Sequence, residues 1–133
     1  MSFTNLMTIA LDSILDDVTC NGKCTPTVVE LGNQRLKNNK SRAKMYNKLQ
    51  TTGTVGLSTT KEFFLDIGFS KYLAIDVNTE MDAVALDLNM DLEKHYGFKD
   101  KFDLVTNNGT GEHVFNQYMV FRNVHNLCQV KGF

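Results

Sequence analysis

Four short apolar runs in this chain each stop on a polar residue or a glycine. They are Thr27-Val-Val-Glu-Leu-Gly32, Lys71-Tyr-Leu-Ala-Ile-Asp76, Ala83-Val-Ala-Leu-Asp87 and Phe102-Asp-Leu-Val-Thr106, the last followed by Asn107-Asn108-Gly109. Runs this short, rich in β-branched and aliphatic residues, suit strands buried on both faces. Helical spacing lies between them. A helix is predicted over about 60–67 with Gly68 as its stop, a helical turn over 91–96, and a long helix from Glu112 to about Cys128. Val114, Phe115, Tyr118, Met119, Phe121, Val124 and Leu127 are expected to form the apolar surface of that last helix. Strands alternating with helices predict an α/β fold with a mostly parallel sheet covered on both faces. In such sheets the strand ends line one edge, and a ligand sits outside them.

Two segments fall outside this alternation. Leu6, Met7, Ala10, Leu11, Ile14, Leu15 and Val18 recur at helical spacing and predict an N-terminal amphipathic helix ending at Asn21-Gly22. Its polar face is acidic, which suits packing better than a lipid surface. The stretch 35–60 carries Arg35, Lys37, Lys40, Arg42, Lys44 and Lys48, with no acidic residue. It reads as a solvated basic helix and a Thr/Gly-rich connector; a lid or a contact for an anionic partner are the other readings.

Composition narrows the function classes. A formal net charge of −1 gives no overall attraction to nucleic acid or to a membrane. No apolar stretch reaches the roughly 20 residues of a membrane-spanning helix, and the N-terminus lacks a basic start and an unbroken apolar core. The expected compartment is therefore cytoplasmic. Cys20, Cys24 and Cys128 make an odd set that argues against a disulfide framework. Cys20 and Cys24 have no second pair to complete a structural zinc site, and no metal is expected.

The strand ends carry the chemistry. If the sheet is parallel, Glu30 and Gly32, then Asp76, then Asp87, then Asn107 and Asn108 all face one crevice. Two carboxylates there suit ribose hydroxyls and an amino-bearing base, and a glycine in the first turn lets a ligand approach the backbone. Taken singly, each strand-end Asp could instead cap the next helix. One glycine is too few for the Gly-x-Gly-x-x-Gly that seats a dinucleotide pyrophosphate.

Val28-Val-Glu-Leu-Gly32 resembles the first motif of class I S-adenosylmethionine-dependent methyltransferases. Asp76 and Asp87-Leu88 are similar to that family's ribose and adenine positions. Phe102-Asp-Leu-Val-Thr106, followed five residues later by Glu112-His113-Val114, resembles the fourth-strand motif of its small-molecule branch. The resemblance covers roughly residues 26–133. It implies a three-layer Rossmann-like sandwich with strand order 3-2-1-4, lacking the family's later strands. It implies S-adenosylmethionine as cofactor, held by Glu30, Gly32, Asn33, Asp76, Val77, Asp87, Leu88, Asn107 and Asn108. A methyl group would pass to a small-molecule acceptor, with His113 and Glu112 as the catalytic pair. His113 is a candidate general base because its ordinary pKa is near neutral, or else makes a local hydrogen bond.

The sequence departs from the family in three places. Asn33 and Gln34 stand where further glycines are usual, the basic stretch separates Gly32 widely from Asp76, and the link between the second and third strands is too short for a helical crossover. The expected organisation is one domain over 1–133: an N-terminal helix in 1–25, a Rossmann-like half in 26–133, and a basic insertion at 35–60. A four-stranded half-sheet is expected to leave its fourth strand's edge and an apolar helix face uncovered, which implies self-association or a missing C-terminal segment. The alternative to an enzyme is a truncated, non-catalytic module that binds the cofactor or another protein.

Overall fold

A computed structural model describes residues 2–3, 10, 12–14, 25–36 and 57–133. Its centre is an open sheet of four parallel strands. These are β2 (Thr27–Leu31), β4 (Lys71–Asp76), β5 (Val84–Ala85) and β6 (Leu104–Asn107), in the order β5-β4-β2-β6. β2 is central: Val28 lies opposite Tyr72 on one side and Leu104 on the other, and Leu31 lies opposite Ile75 and Asn107. A separate two-stranded parallel pair joins β1 (Ser2–Phe3) to β3 (Arg35–Leu36).

Alternation along β2 divides the core between the two faces of the sheet. Val28 points to a cluster with Phe63, Phe64, Ile67, Phe69 and Leu104. Phe63 and Phe64 belong to α1 (Thr60–Asp66), so α1 covers that face. Val29 and Leu31 point the other way, to Ile75, Leu88, Leu92, Phe102, Val120 and Leu127. That second face is covered by α2 (Leu92–Tyr96) and α3 (Gln117–Leu127). The molecule is thus α/β with helices on both faces of the sheet.

Local chemistry sets the element ends. The Thr59 side chain accepts the Glu62 amide, and the Glu62 carboxylate accepts the Thr59 amide at 2.9 Å, a reciprocal cap that starts α1. Asp91 caps α2 and Gly97, at φ 68°, closes it.

The expected N-terminal helix is represented by Ala10 and residues 12–14, which are helical, with Ile14 packed against the first cluster. Its remainder lies outside the described residues, as do Cys20, Cys24 and positions 37–56 of the basic stretch. Within that stretch Arg35 and Leu36 form a strand, paired with β1, and Arg35 bridges Thr59. The third strand is shorter than Ala83–Asp87: only Val84 and Ala85 pair, against Ile75 and Asp76. A 3₁₀ turn over Glu80–Asp82 leads into it.

The last helix also differs from expectation. It begins at Gln117, not Glu112, because Asn116 caps it by accepting the Met119 amide at 3.1 Å. A 3₁₀ turn over Gly111–His113 precedes it. Its buried residues are Val120, Asn123 and Leu127, whereas Phe115, Tyr118 and Phe121 are 97%, 68% and 68% exposed. The edge of β6 is not bare either. The Phe133 amide donates to the Asp103 carbonyl at 2.8 Å, and the Val105 amide to the Phe133 carbonyl at 2.7 Å. Phe102 bridges Cys128 in parallel.

Candidate functional site

The carboxyl ends of β2, β4 and β5 and the loop after β6 enclose a crevice of about 500 Å³. That volume falls in the range of small-molecule sites. Its first wall is the turn after β2. Gly32 sits at φ +90°, where a side chain would be strained, and its amide donates to the Ile75 carbonyl at 2.7 Å. The chain then turns so that the Asn33 amide donates to Asp76 Oδ2 at 3.1 Å, while Asn33 Nδ2 donates to Asn78 Oδ1 at 3.0 Å and the Glu80 carbonyl at 2.8 Å.

Asp76 ends β4 beside this turn. Its Oδ1 accepts the Val77 amide at 2.7 Å and Asn78 Nδ2 at 3.0 Å. Oδ2 accepts only the Asn33 amide among the described residues, so it keeps a lone pair for a ligand. Asp87 lies two residues past β5. Its Oδ1 accepts both the backbone amide of Asn89 at 2.9 Å and Asn89 Nδ2 at 2.8 Å. The Asn89 backbone bond, followed by its side-chain bond, holds the Asp87 carboxyl below the usual carboxylate range. Asp87 Oδ2 has no hydrogen-bond partner among the described residues. Leu88, buried beside it, supplies apolar wall.

The opposite wall is Gly109, Thr110, His113 and Val114. Asn107 and Asn108 work behind it. Asn107 Oδ1 accepts the Gly111 amide at 2.9 Å, and the Asn108 carbonyl accepts Gln34 Nε2 at 2.8 Å. His113 reaches the crevice; Glu112 is exposed and does not line it.

Glu30 is elsewhere. It shares the Val28 face of β2, is wholly buried, and opens onto α1 rather than the crevice. Its Oε2 accepts the Thr60 hydroxyl and the Tyr72 hydroxyl (2.7 Å), and Oε1 accepts the Thr106 hydroxyl at 3.3 Å. Burial outweighs these bonds and raises its pKa from 4.5 to about 7. The same burial, with Glu30 beside it, pushes the Tyr72 hydroxyl well above its ordinary value.

Of the expected positions, Asn33, Asp76, Val77, Asp87, Leu88 and His113 meet at the crevice. Gly32 lies directly under Thr110, where a Cβ would overlap the threonine hydroxyl. Several contributors were not anticipated. Arg35, Asn78 and Asn89 line the crevice. Asn123, on α3, is buried and accepts the Leu92 amide at 3.2 Å while donating to the carbonyls of Leu88 (3.3 Å) and Met90 (2.8 Å). The available signal was a carboxamide at a core position of an amphipathic helix, between Val120 and Leu127.

No family model, curated protein or solved structure matches the chain. Among the described residues no helix is long and apolar enough to cross a membrane, and no three His, Cys, Asp or Glu side chains gather to hold a metal ion.

Proposed function

We propose that the crevice binds S-adenosylmethionine and that the chain serves methyl transfer to a small-molecule acceptor. One observation carries this reading. Two carboxylates, Asp76 at the end of β4 and Asp87 two residues past the neighbouring parallel β5, each have acceptor capacity unspent, in a crevice of nucleoside size. The strand order supports a Rossmann-like half of the 3-2-1-4 kind.

In this reading Asp76 Oδ2 accepts from the ribose hydroxyls, with Val77 beside it. Asp87 Oδ2 accepts from the adenine amine, and Leu88 packs on the base. Gly32, Asn33, Asn107 and Asn108 shape the methionine end, by backbone approach and by fixing the two loops. Glu30 supports that end from beneath, through β2, without touching the ligand. The cofactor supplies a methyl group on a sulfonium, which needs little acid–base help. The chain's contribution is to position two reactants and exclude water. Where an acceptor hydroxyl must lose a proton, His113 accepts it. Glu112, exposed and outside the crevice lining, takes no part in this step.

A second reading is a non-catalytic interaction module, favoured by the exposure of Phe115, Tyr118 and Phe121. Calorimetric titration with S-adenosylhomocysteine separates the two. The methyltransferase reading expects micromolar binding that weakens at least tenfold in Asp76→Ala and in Asp87→Ala, each checked for fold by circular dichroism. No binding by the folded, unsubstituted chain would remove that reading and leave the interaction module.

A further inference from the structure

The crevice is lined by charges of both signs. Its carboxylates, Asp76, Glu80 and Asp87, all belong to the β4–β5 side. Arg35 is the only lysine or arginine lining the crevice among the described residues, and it enters from β3. It is not on a loose loop. Residue 35 pairs with Ser2 and bridges Thr59, and the next amide, of Leu36, donates to the Ser58 carbonyl at 2.8 Å.

Three other cations of the described residues are held in ion pairs away from the crevice lining. Lys61 meets Asp82 and Lys71 meets Asp100, both at 2.6 Å, and Arg122 meets Asp91 at 3.4 Å. The Arg35 guanidinium has no ion pair or side-chain hydrogen bond among the described residues. A planar fork of donors without a protein partner, in a crevice otherwise lined by carboxylates, is matched by a ligand that carries one carboxylate. A phosphate fits less well, since its second charge would face three carboxylates within the same crevice.

We propose that Arg35 binds a carboxylate of the ligand that fills this crevice. The inference rests on the nucleoside reading above and adds which charge the site selects. The carboxylate belongs either to the amino-acid tail of the cofactor or to the acceptor, and the probes tell these apart.

The test is calorimetric titration of the unsubstituted chain, Arg35→Gln and Arg35→Lys with three probes. They are S-adenosylhomocysteine, 5′-methylthioadenosine (which lacks the carboxylate), and benzoate added to the S-adenosylhomocysteine-loaded chain. A loss on the order of tenfold for S-adenosylhomocysteine in Arg35→Gln, with methylthioadenosine unchanged and partial recovery in Arg35→Lys, assigns the carboxylate to the cofactor. Unchanged S-adenosylhomocysteine with lost benzoate binding assigns it to the acceptor. If Arg35→Gln treats all three probes as the unsubstituted chain does, or weakens both nucleosides equally, the inference fails while the crevice reading stands. If the unsubstituted chain binds neither nucleoside, both fall together.

Discussion

Gly32 and Thr110 are packed so closely that no other residue fits at position 32. A Cβ there would overlap the Thr110 hydroxyl and lie 3.0 Å from Thr110 Cβ, on a backbone already at φ +90°. This contact sets the gap between the turn after β2 and the loop after β6. Gly32→Ala is therefore expected to destabilise the chain by about 1–3 kcal/mol through strain and overlap together. Thr110→Gly in the same chain should recover the overlap part but not the backbone part. Urea denaturation of the two single variants and the double variant measures the division.

Glu30 gives stability a pH signature. Its folded pKa of about 7 exceeds the unfolded 4.5, so the folded chain retains a proton that the unfolded chain releases. The contribution is complete below pH 4.5, declines as pH rises, and is gone above about 7. The whole change is on the order of 3 kcal/mol. Glu30→Gln keeps the shape and removes the titration. The difference in urea midpoint between it and the unsubstituted chain should move in the variant's favour from pH 5 to pH 8. A constant difference would mean that Glu30 is already ionised in the folded chain at pH 5, with no raised pKa.

Asn123 ties α3 to the segment that carries Asp87 and Leu88. Asn123→Leu fills similar space but leaves one amide and two carbonyls without their partner in a buried place. The expected loss is about 2–4 kcal/mol, read by thermal or urea unfolding. Any ligand held by Asp87 should weaken in parallel, while Arg122→Ala, on the same helix and joined to Asp91 by a single 3.4 Å contact from a partly exposed guanidinium, should cost less, about 1 kcal/mol.

Phe115 and Phe121 contribute little to the core, being largely exposed. The double change Phe115→Ser, Phe121→Ser should leave stability within about 0.5 kcal/mol per site. If the chain self-associates through this face, the same change should shift its size-exclusion profile toward the monomer. An unchanged oligomer would place the contact elsewhere.

The sequence made the sheet legible where local and global signals agree. Lys71–Asp76 is one uninterrupted β run, and α1 has its own cap and a glycine stop, so both were readable to within a residue. The third strand is shorter than its apolar run because only two of its residues find partners, Ile75 and Asp76. The last helix was overread because apolar residues at 114–121 matched a helical stripe, while Asn116 interrupts it with a cap. Among site residues, Asp76 and Asp87 were readable as strand-end carboxylates. Glu30 was assigned to the crevice from its motif, although period-2 alternation places it on the same face as Val28, against α1. Asn123 and Arg35 lay beyond a motif reading, because their roles depend on contacts far away in sequence.

The carboxamide of Asn123 also settles how the crevice can breathe. The rim from Asp87 to Leu92 is riveted to α3, and Asn116 adds a second rivet by donating its amide to Asn89 Oδ1 at 2.9 Å. Admitting a ligand by swinging that rim outward would mean lifting α3 off the sheet. The stretch from Asn78 to Asp82 is fastened instead by exposed contacts, Asn33 to Asn78 and Glu80 and Lys61 to Asp82, so displacing it breaks bonds that water can replace.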